Sequence, residues 1–253
     1  MKKLVGMVFA IGLMIGLMPG KIVRADTNKA DVNYLKAIVG TDNVVTFETD
    51  NEECTIVKQD TDNEVVWENG WYAVTGEIEI NGRITINEGA DVNLILCDDC
   101  GLNAKKGIYV PLNSTLNIYS GSTEDNIKGN GKLDATGDTG YAGIGGNNGE
   151  SGNCGKIVIH GGHITATGGD HGAGIGGGIK GDGGIIVIYG GTVKATGGSG
   201  ASGIGIGQFD ITSLVCDATL NVYGGSIEAI GGVGSFYGSE PHRVPGGAGI
   251  YCK

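Results

Sequence analysis

The sequence predicts an all-β protein: a right-handed parallel β-helix with three faces and a small N-terminal cap. Three observations lead there: the density of glycine, the shortness of the apolar runs, and a repeat of 29 residues. Glycine supplies 51 of 253 residues, and 39 of these fall within 129–253. Long helices do not survive that much glycine. With only four prolines and no glycine at every third position, collagen is excluded as well. Hydrophobic residues make up 40% of the chain and recur in short Val- and Ile-rich alternations, so disorder is not expected.

The repeat is clearest over 156–207. KIVIHGGHITATGG, starting at 156, is echoed by IIVIYGGTVKATGG, starting at 185; Ile159 matches Ile188, Ala166 matches Ala195 and Ile175 matches Ile204, each at an offset of 29. A further copy begins at Leu220 at an offset of 34, and an earlier one is split between 116–121 and 132–146. Each unit holds three short strand-forming pieces separated by glycine-rich bends, which glycine allows because it tolerates positive φ. Three strands and their bends close one triangular coil. Successive coils then pair edge to edge, about 4.8 Å apart.

Alternation assigns the faces. In the first strand, Leu116/Ile118, Ile157/Ile159, Ile186/Ile188 and Leu220/Val222 point inward, and Asn117/Tyr119, Val158/His160, Val187/Tyr189 and Asn221/Tyr223 point outward. In the second, Leu133/Ala135, Ile164/Ala166, Val193/Ala195 and Ile227/Ala229 face the core, with Asp134, Thr165, Lys194 and Glu228 outward. The third segment buries Ala142/Ile144, Ala173/Ile175, Ser202/Ile204 and Ala248/Ile250 and carries glycine at its outward positions. Residues 71–120 continue the coil less regularly, so the solenoid is expected over 71–253, most clearly over 116–251.

The two ends differ from this pattern. Lys2 and Lys3 followed by the apolar stretch Leu4–Met18 and by Val23-Arg24-Ala25 read as a secretory signal over 1–25, removed after Ala25. The expected location is therefore secreted or cell-surface, with no membrane insertion of the mature chain. Residues 26–70 are nearly free of glycine and form the expected cap, with 30–38 reading as a short amphipathic helix. The chain ends on a repeat core without a second cap, which predicts end-to-end contact at the open C-terminal coil.

A net charge of −11 with no basic stripe argues against nucleic acid as a partner. In an exported chain, the six cysteines (Cys54, Cys97, Cys100, Cys154, Cys216 and Cys252) invite disulfides whose pairing the spacing leaves open. Cys97 and Cys100 have the spacing of a redox or metal pair, but no second such pair or His completes a zinc set, so no metal or cofactor is expected. Acidic loops at Asp98, Asp99 and Asp170 are where calcium would find oxygen ligands.

GlyGlyHisIleThrAlaThrGlyGly (161–169), AlaGlyIleGlyGlyGly (173–178), TrpTyrAlaVal (71–74) and LeuIleLeuCysAspAsp (94–99) together resemble a known group of glycine-rich repeats. These are the repeats of secreted and cell-surface β-solenoid proteins of Gram-positive bacteria, described as carbohydrate-binding-domain-containing or pectate-lyase-like. The resemblance implies the fold and a polysaccharide or surface glycan as partner, and it brings no catalytic residues with it. The candidate ligand-binding residues come from the repeat itself. Tyr119, His160, Tyr189 and Tyr223 share one outward position and should stack as a column on which sugar rings can lie. The glycine-surfaced third face is a second candidate, as a place where a flat partner could approach closely. The expected function is a non-catalytic module for carbohydrate binding or adhesion. A polysaccharide lyase or hydrolase and a plain structural spacer are the alternatives.

Overall fold

The computed structural model describes residues 29–60, 64–122, 129–149, 152–208, 217–234, 236–237, 242–243 and 246–250. The expected signal segment, Cys216 and Cys252 lie outside the described residues. After a hairpin of β1 (Lys29–Val39) and β2 (Val45–Ile56), the chain winds through three faces in a fixed order. The first coil is β3 (Glu64–Trp67), β4 (Gly70–Val74) and β5 (Glu77–Ile80); the second is β6 (Arg83–Ile86), β7 (Asp91–Leu96) and β8 (Gly101–Ala104). Then follow β9 (Ile108–Tyr109), β10 (Thr115–Gly121) and β11 (Lys132–Thr136), and after them β12 (Ile144–Gly145), β13 (Lys156–Ile159) and β14 (His163–Thr167). The last two coils are β15 (Ile175–Gly176), β16 (Gly184–Ile188) and β17 (Thr192–Thr196), then β18 (Ile204–Gly205), β19 (Ala218–Val222) and β20 (Ser226–Ile230).

Face one stacks β4, β7, β10, β13, β16 and β19, face two β5 through β20, and face three β3 through β18; the hairpin extends face one to eight strands. Neighbouring coils pair in parallel throughout, so the fold is a parallel β-helix. The sequence offset becomes the register: Ile159 lies beside Ile188, Ala166 beside Ala195 and Ile175 beside Ile204. Inward side chains from all three faces, from Val57 and Trp67 to Ile204, form one continuous core. At roughly 1.5–3 kcal/mol for each buried Leu, Ile or Val, this stack outweighs the poor strand propensity of the glycines.

Three features depart from the sequence expectation. Residues 30–38 are not helical but form the middle of β1, which pairs along all 11 of its residues with β2, from Lys29↔Thr55 to Val39↔Val45. A helix of nine residues cannot hold itself together, whereas the strand satisfies its backbone against two neighbours. The composition change near residue 70 falls inside the first coil, because β3 already pairs with β6 on face three. At the far end, inward Val222 is 50% exposed, and Ile250, which bridges to Ile204 one coil on, is 48% exposed, since no further described coil covers them.

Arg83 ties the second coil to the fourth. Its Nε donates to Asn147 Oδ1 at 2.6 Å, Nη1 to the carbonyls of Lys106 and Ala142, Nη2 to the Gly146 carbonyl, and the guanidinium sits 4.9 Å from the Tyr141 ring centre. Burial lowers its pKa to about 10, which leaves it charged at neutral pH. A lysine has no planar fork to reach four acceptors. Arg83→Lys should therefore cost about 1–3 kcal/mol in urea unfolding, and a midpoint equal to that of the parent would show the contacts to be idle.

Candidate functional site: an aromatic ladder on face one

The outward row of face one runs Ala73, Ile95, Tyr119 by strand register. Past the strand ends it continues through His160, Tyr189 and Tyr223, whose amides donate to the carbonyls of Ile118, Ile159 and Ile188 on the coil before. The four residues picked from the repeat do form one column. Tyr119 and His160 stack at 4.3 Å and 13°, His160 and Tyr189 follow at 5.1 Å and 35°, and Tyr189 and Tyr223 stack at 5.1 Å and 25°.

Two rings that the repeat does not reveal extend the column. Trp71 stacks on Tyr119 at 5.3 Å, and Tyr34 from β1 fits against both at 4.8 Å. Trp71 escapes the pattern because it lies one row away, beside Asn93, and leans over to reach the ladder. Tyr34 escapes it because the hairpin is not part of any repeat. The signal that could have found it is the alternation Val32, Tyr34 within a segment that reads equally as a helix.

The hairpin decides which rungs meet solvent. β1 pairs antiparallel with β2 and also with the end of β10, through Tyr34↔Gly121 and Leu35↔Ser120. Together β1, β2, β4, β7 and β10 thus close into a ring on the outside of the helix. The ring holds a second core of Tyr34, Cys54, Ala73, Ile95 and Tyr119, with Val32, Ile56, Trp71 and Cys97 packed against it. Further along, the Ala37 amide donates to His160 Nδ1 at 3.2 Å, and the Phe47 ring edge lies 2.9 Å from where a Cβ on Gly190 would stand.

Exposure follows this cover. Tyr119 and His160 are 6% and 7% exposed, Tyr189 is half-buried, and Tyr223 is 44% and Phe47 47% exposed. Burial raises the Tyr119 hydroxyl to about 12 and lowers the His160 imidazole to about 4, the latter with help from the Lys36 charge. The buried half of the ladder is therefore structural. Tyr189 and Tyr223, with Phe47, make its accessible end.

Other candidates fare differently. On face three, Gly145, Gly176 and Gly205 are buried, and a Cβ on Gly176 would stand 1.9 Å from the Gly205 carbonyl oxygen, so these glycines serve contact between coils and not a docking surface. On face two, Lys194 pairs with Glu228 at 3.2 Å, both half-exposed, an ion pair worth under about 1 kcal/mol. Among the described residues no group of three or more His, Cys, Asp or Glu side chains converges as a metal site.

These features define a class: a parallel β-helix built from stacked repeats, with a hairpin laid along one face. The chain is similar to the family model described as a beta helix repeat over residues 126–149, 157–179 and 186–205, which fall on the third to sixth coils. No curated protein and no solved structure matches it.

Proposed function

We propose that this chain is an exported, non-catalytic β-solenoid module that binds carbohydrate or mediates surface adhesion at the uncovered end of its aromatic ladder. One observation carries the reading: the column runs out to solvent-facing Tyr223, stacked on Tyr189, with exposed Phe47 of the hairpin next to Gly190, the residue that follows Tyr189. Rings within a stack cover one another's faces. Among the residues whose side chains are described, Tyr189–Tyr223 is the last ring contact of the stack, and the face of Tyr223 turned away from Tyr189 is the one on which a pyranose can stack. The resemblance of the repeats to carbohydrate-binding surface proteins supports the same reading.

Glu79, two rungs from Asp134 on the outward row of face two, is tied to Lys105 at 3.1 Å, and the two carboxylates that the repeats themselves place on that row stand further apart. Asp134 and Glu228 share a row on face two but are three rungs apart, with Thr165 and Lys194 between them. At about 4.8 Å per rung the separation is roughly 14 Å, too wide for the carboxylate pair of a glycosidase. A glycan array on residues 26–253 tests the proposal. Tyr223→Ala should weaken binding about tenfold, while Leu112→Ala, an exposed side chain in the loop between β9 and β10, should leave it unchanged. An array without a bound glycan, or Tyr223→Ala binding like the parent, removes the proposal.

A further inference from the structure

We infer that the last described coil is a docking surface for a second copy of this chain, joined tail to tail about a twofold axis at β19. The two ends of the helix are not alike. At the first coil, β2 takes the outer edge of β4 through Thr55↔Tyr72 and Ile56↔Ala73, and the Val57 amide donates to the Ala73 carbonyl. Asp60 covers β5 in the same way: it bridges to Ile80, its amide donates to the Glu79 carbonyl, and its own carbonyl accepts from the Asn81 amide. Two of the three faces are therefore closed to another coil at that end. At the other end, β19 pairs only with β16 and β20 only with β17 among the described residues. The inward side chains are incompletely covered there: Leu220, Ile227 and Ala229 are partly buried, and Val222 and Ile250 are exposed. Stacking copies head to tail needs both ends open, so the cap blocks a fibre and leaves the meeting of two open ends.

An extended peptide could lengthen one face, but it would leave the apolar cross-section of the coil in water; a second coil end covers all three faces at once. A twofold axis across the helix sets one strand antiparallel to its own copy and brings the other two faces onto each other. Charge selects the strand. If β20 lay on the axis, Glu228 would stand opposite Glu228 of the second copy, a like-charge pair that weakens a sheet. β19, Ala218-Thr219-Leu220-Asn221-Val222, carries neither a charge nor a proline, two of the devices that guard an edge against pairing. Centred on Leu220, it sets Leu220 against Leu220 and Ala218 against Val222 on the inward side, and Thr219 against Asn221 on the outward side, so the pleat keeps its alternation. At that register residue 217 of the second copy falls beside Tyr223, so the dimer covers the ring face that the monomer offers to a sugar. The pairing itself needs no sugar.

One coil end is a small contact, so the dimer is a weak one, in the micromolar range. Sedimentation velocity of residues 26–253 should show monomer at about 1 μM and mostly dimer at about 300 μM. Thr219 and Asn221 are both exposed, so charging them leaves the fold intact, which the melting temperature checks. Thr219→Lys combined with Asn221→Lys sets like charges across the axis and should hold the protein as a monomer at every concentration. Thr219→Lys combined with Asn221→Glu sets opposite charges there and should restore the dimer. A parent that stays monomeric, a species that grows beyond the dimer, or a dimer undisturbed by the two lysines would each overturn the proposal. Opposite charges that fail to restore the dimer would overturn the register at Leu220.

Discussion

Replacing Gly176 with alanine should unfold the middle of the helix. Gly176 has φ +131°, and a Cβ there would stand 1.9 Å from the Gly205 carbonyl oxygen and 2.8 Å from its carbon. The obstacle is the backbone of the next coil, held in place by parallel pairing, so no side-chain rotation relieves it. Backbone strain alone costs about 1–3 kcal/mol. The clash adds the separation of two coils, bringing the total above about 4 kcal/mol, in the range that unfolds marginal proteins.

Two control substitutions separate strain from clash. Gly89 has φ +77° with nothing within 4 Å of its would-be Cβ, and Gly76 has neither a positive φ nor a close neighbour. Gly89→Ala should cost about 1–2 kcal/mol, and Gly76→Ala no more than about 0.5 kcal/mol in either direction. At this size 1 kcal/mol moves the melting temperature by roughly 2–4 °C. Thermal unfolding should therefore rank Gly76→Ala near the parent, Gly89→Ala a few degrees lower, and Gly176→Ala more than about 10 °C lower or insoluble. A Gly176→Ala protein melting with the Gly89 variant would mean that the coils are not in contact at this glycine column.

The same stacking explains why so much of the fold was legible. In a solenoid, a sequence offset is a spatial neighbour, so Ile159 and Ile188 had only one place to go once the period was seen. Even the interrupted copy came out in register, with Leu116 beside Ile157, Leu133 beside Ile164 and Ile144 beside Ile175, because an insertion at a corner lengthens a loop without moving the strands. The hairpin offered no such constraint. It occurs once, and its half-buried alternation depends on a partner surface that no local pattern announces. For that reason the column of Tyr119, His160, Tyr189 and Tyr223 was readable as a column, while the division into a buried and an open half was not. Four equivalent repeat positions differ only in how far along the helix β1 and β2 extend.

That division makes acid stability a probe of the hairpin. The Ala37 amide donates to His160 Nδ1, which requires the neutral imidazole with its proton on Nε2. Protonation removes the acceptor and places a charge between the Tyr119 and Tyr189 rings, beside Lys36. Burial first, and Lys36 second, hold the folded pKa near 4, against 6.5 for a free histidine. Between those two values the unfolded chain binds a proton that the folded chain refuses, so stability falls as pH drops from about 6.5 to about 4 and levels off below. At 1.36 kcal/mol per pH unit the full loss is about 3 kcal/mol, of which about 2 kcal/mol appears between pH 6.5 and pH 5. His160→Phe keeps a ring in the stack but cannot titrate. It should be less stable than the parent at pH 7, because the Ala37 amide loses its acceptor, and should lack this part of the pH slope. Urea unfolding of both proteins at several pH values gives the difference directly, and the proton resonances of the His160 ring report its pKa. A ring titrating near 6.5, or equal slopes in the two proteins, would mean that the hairpin does not seal this rung of the ladder.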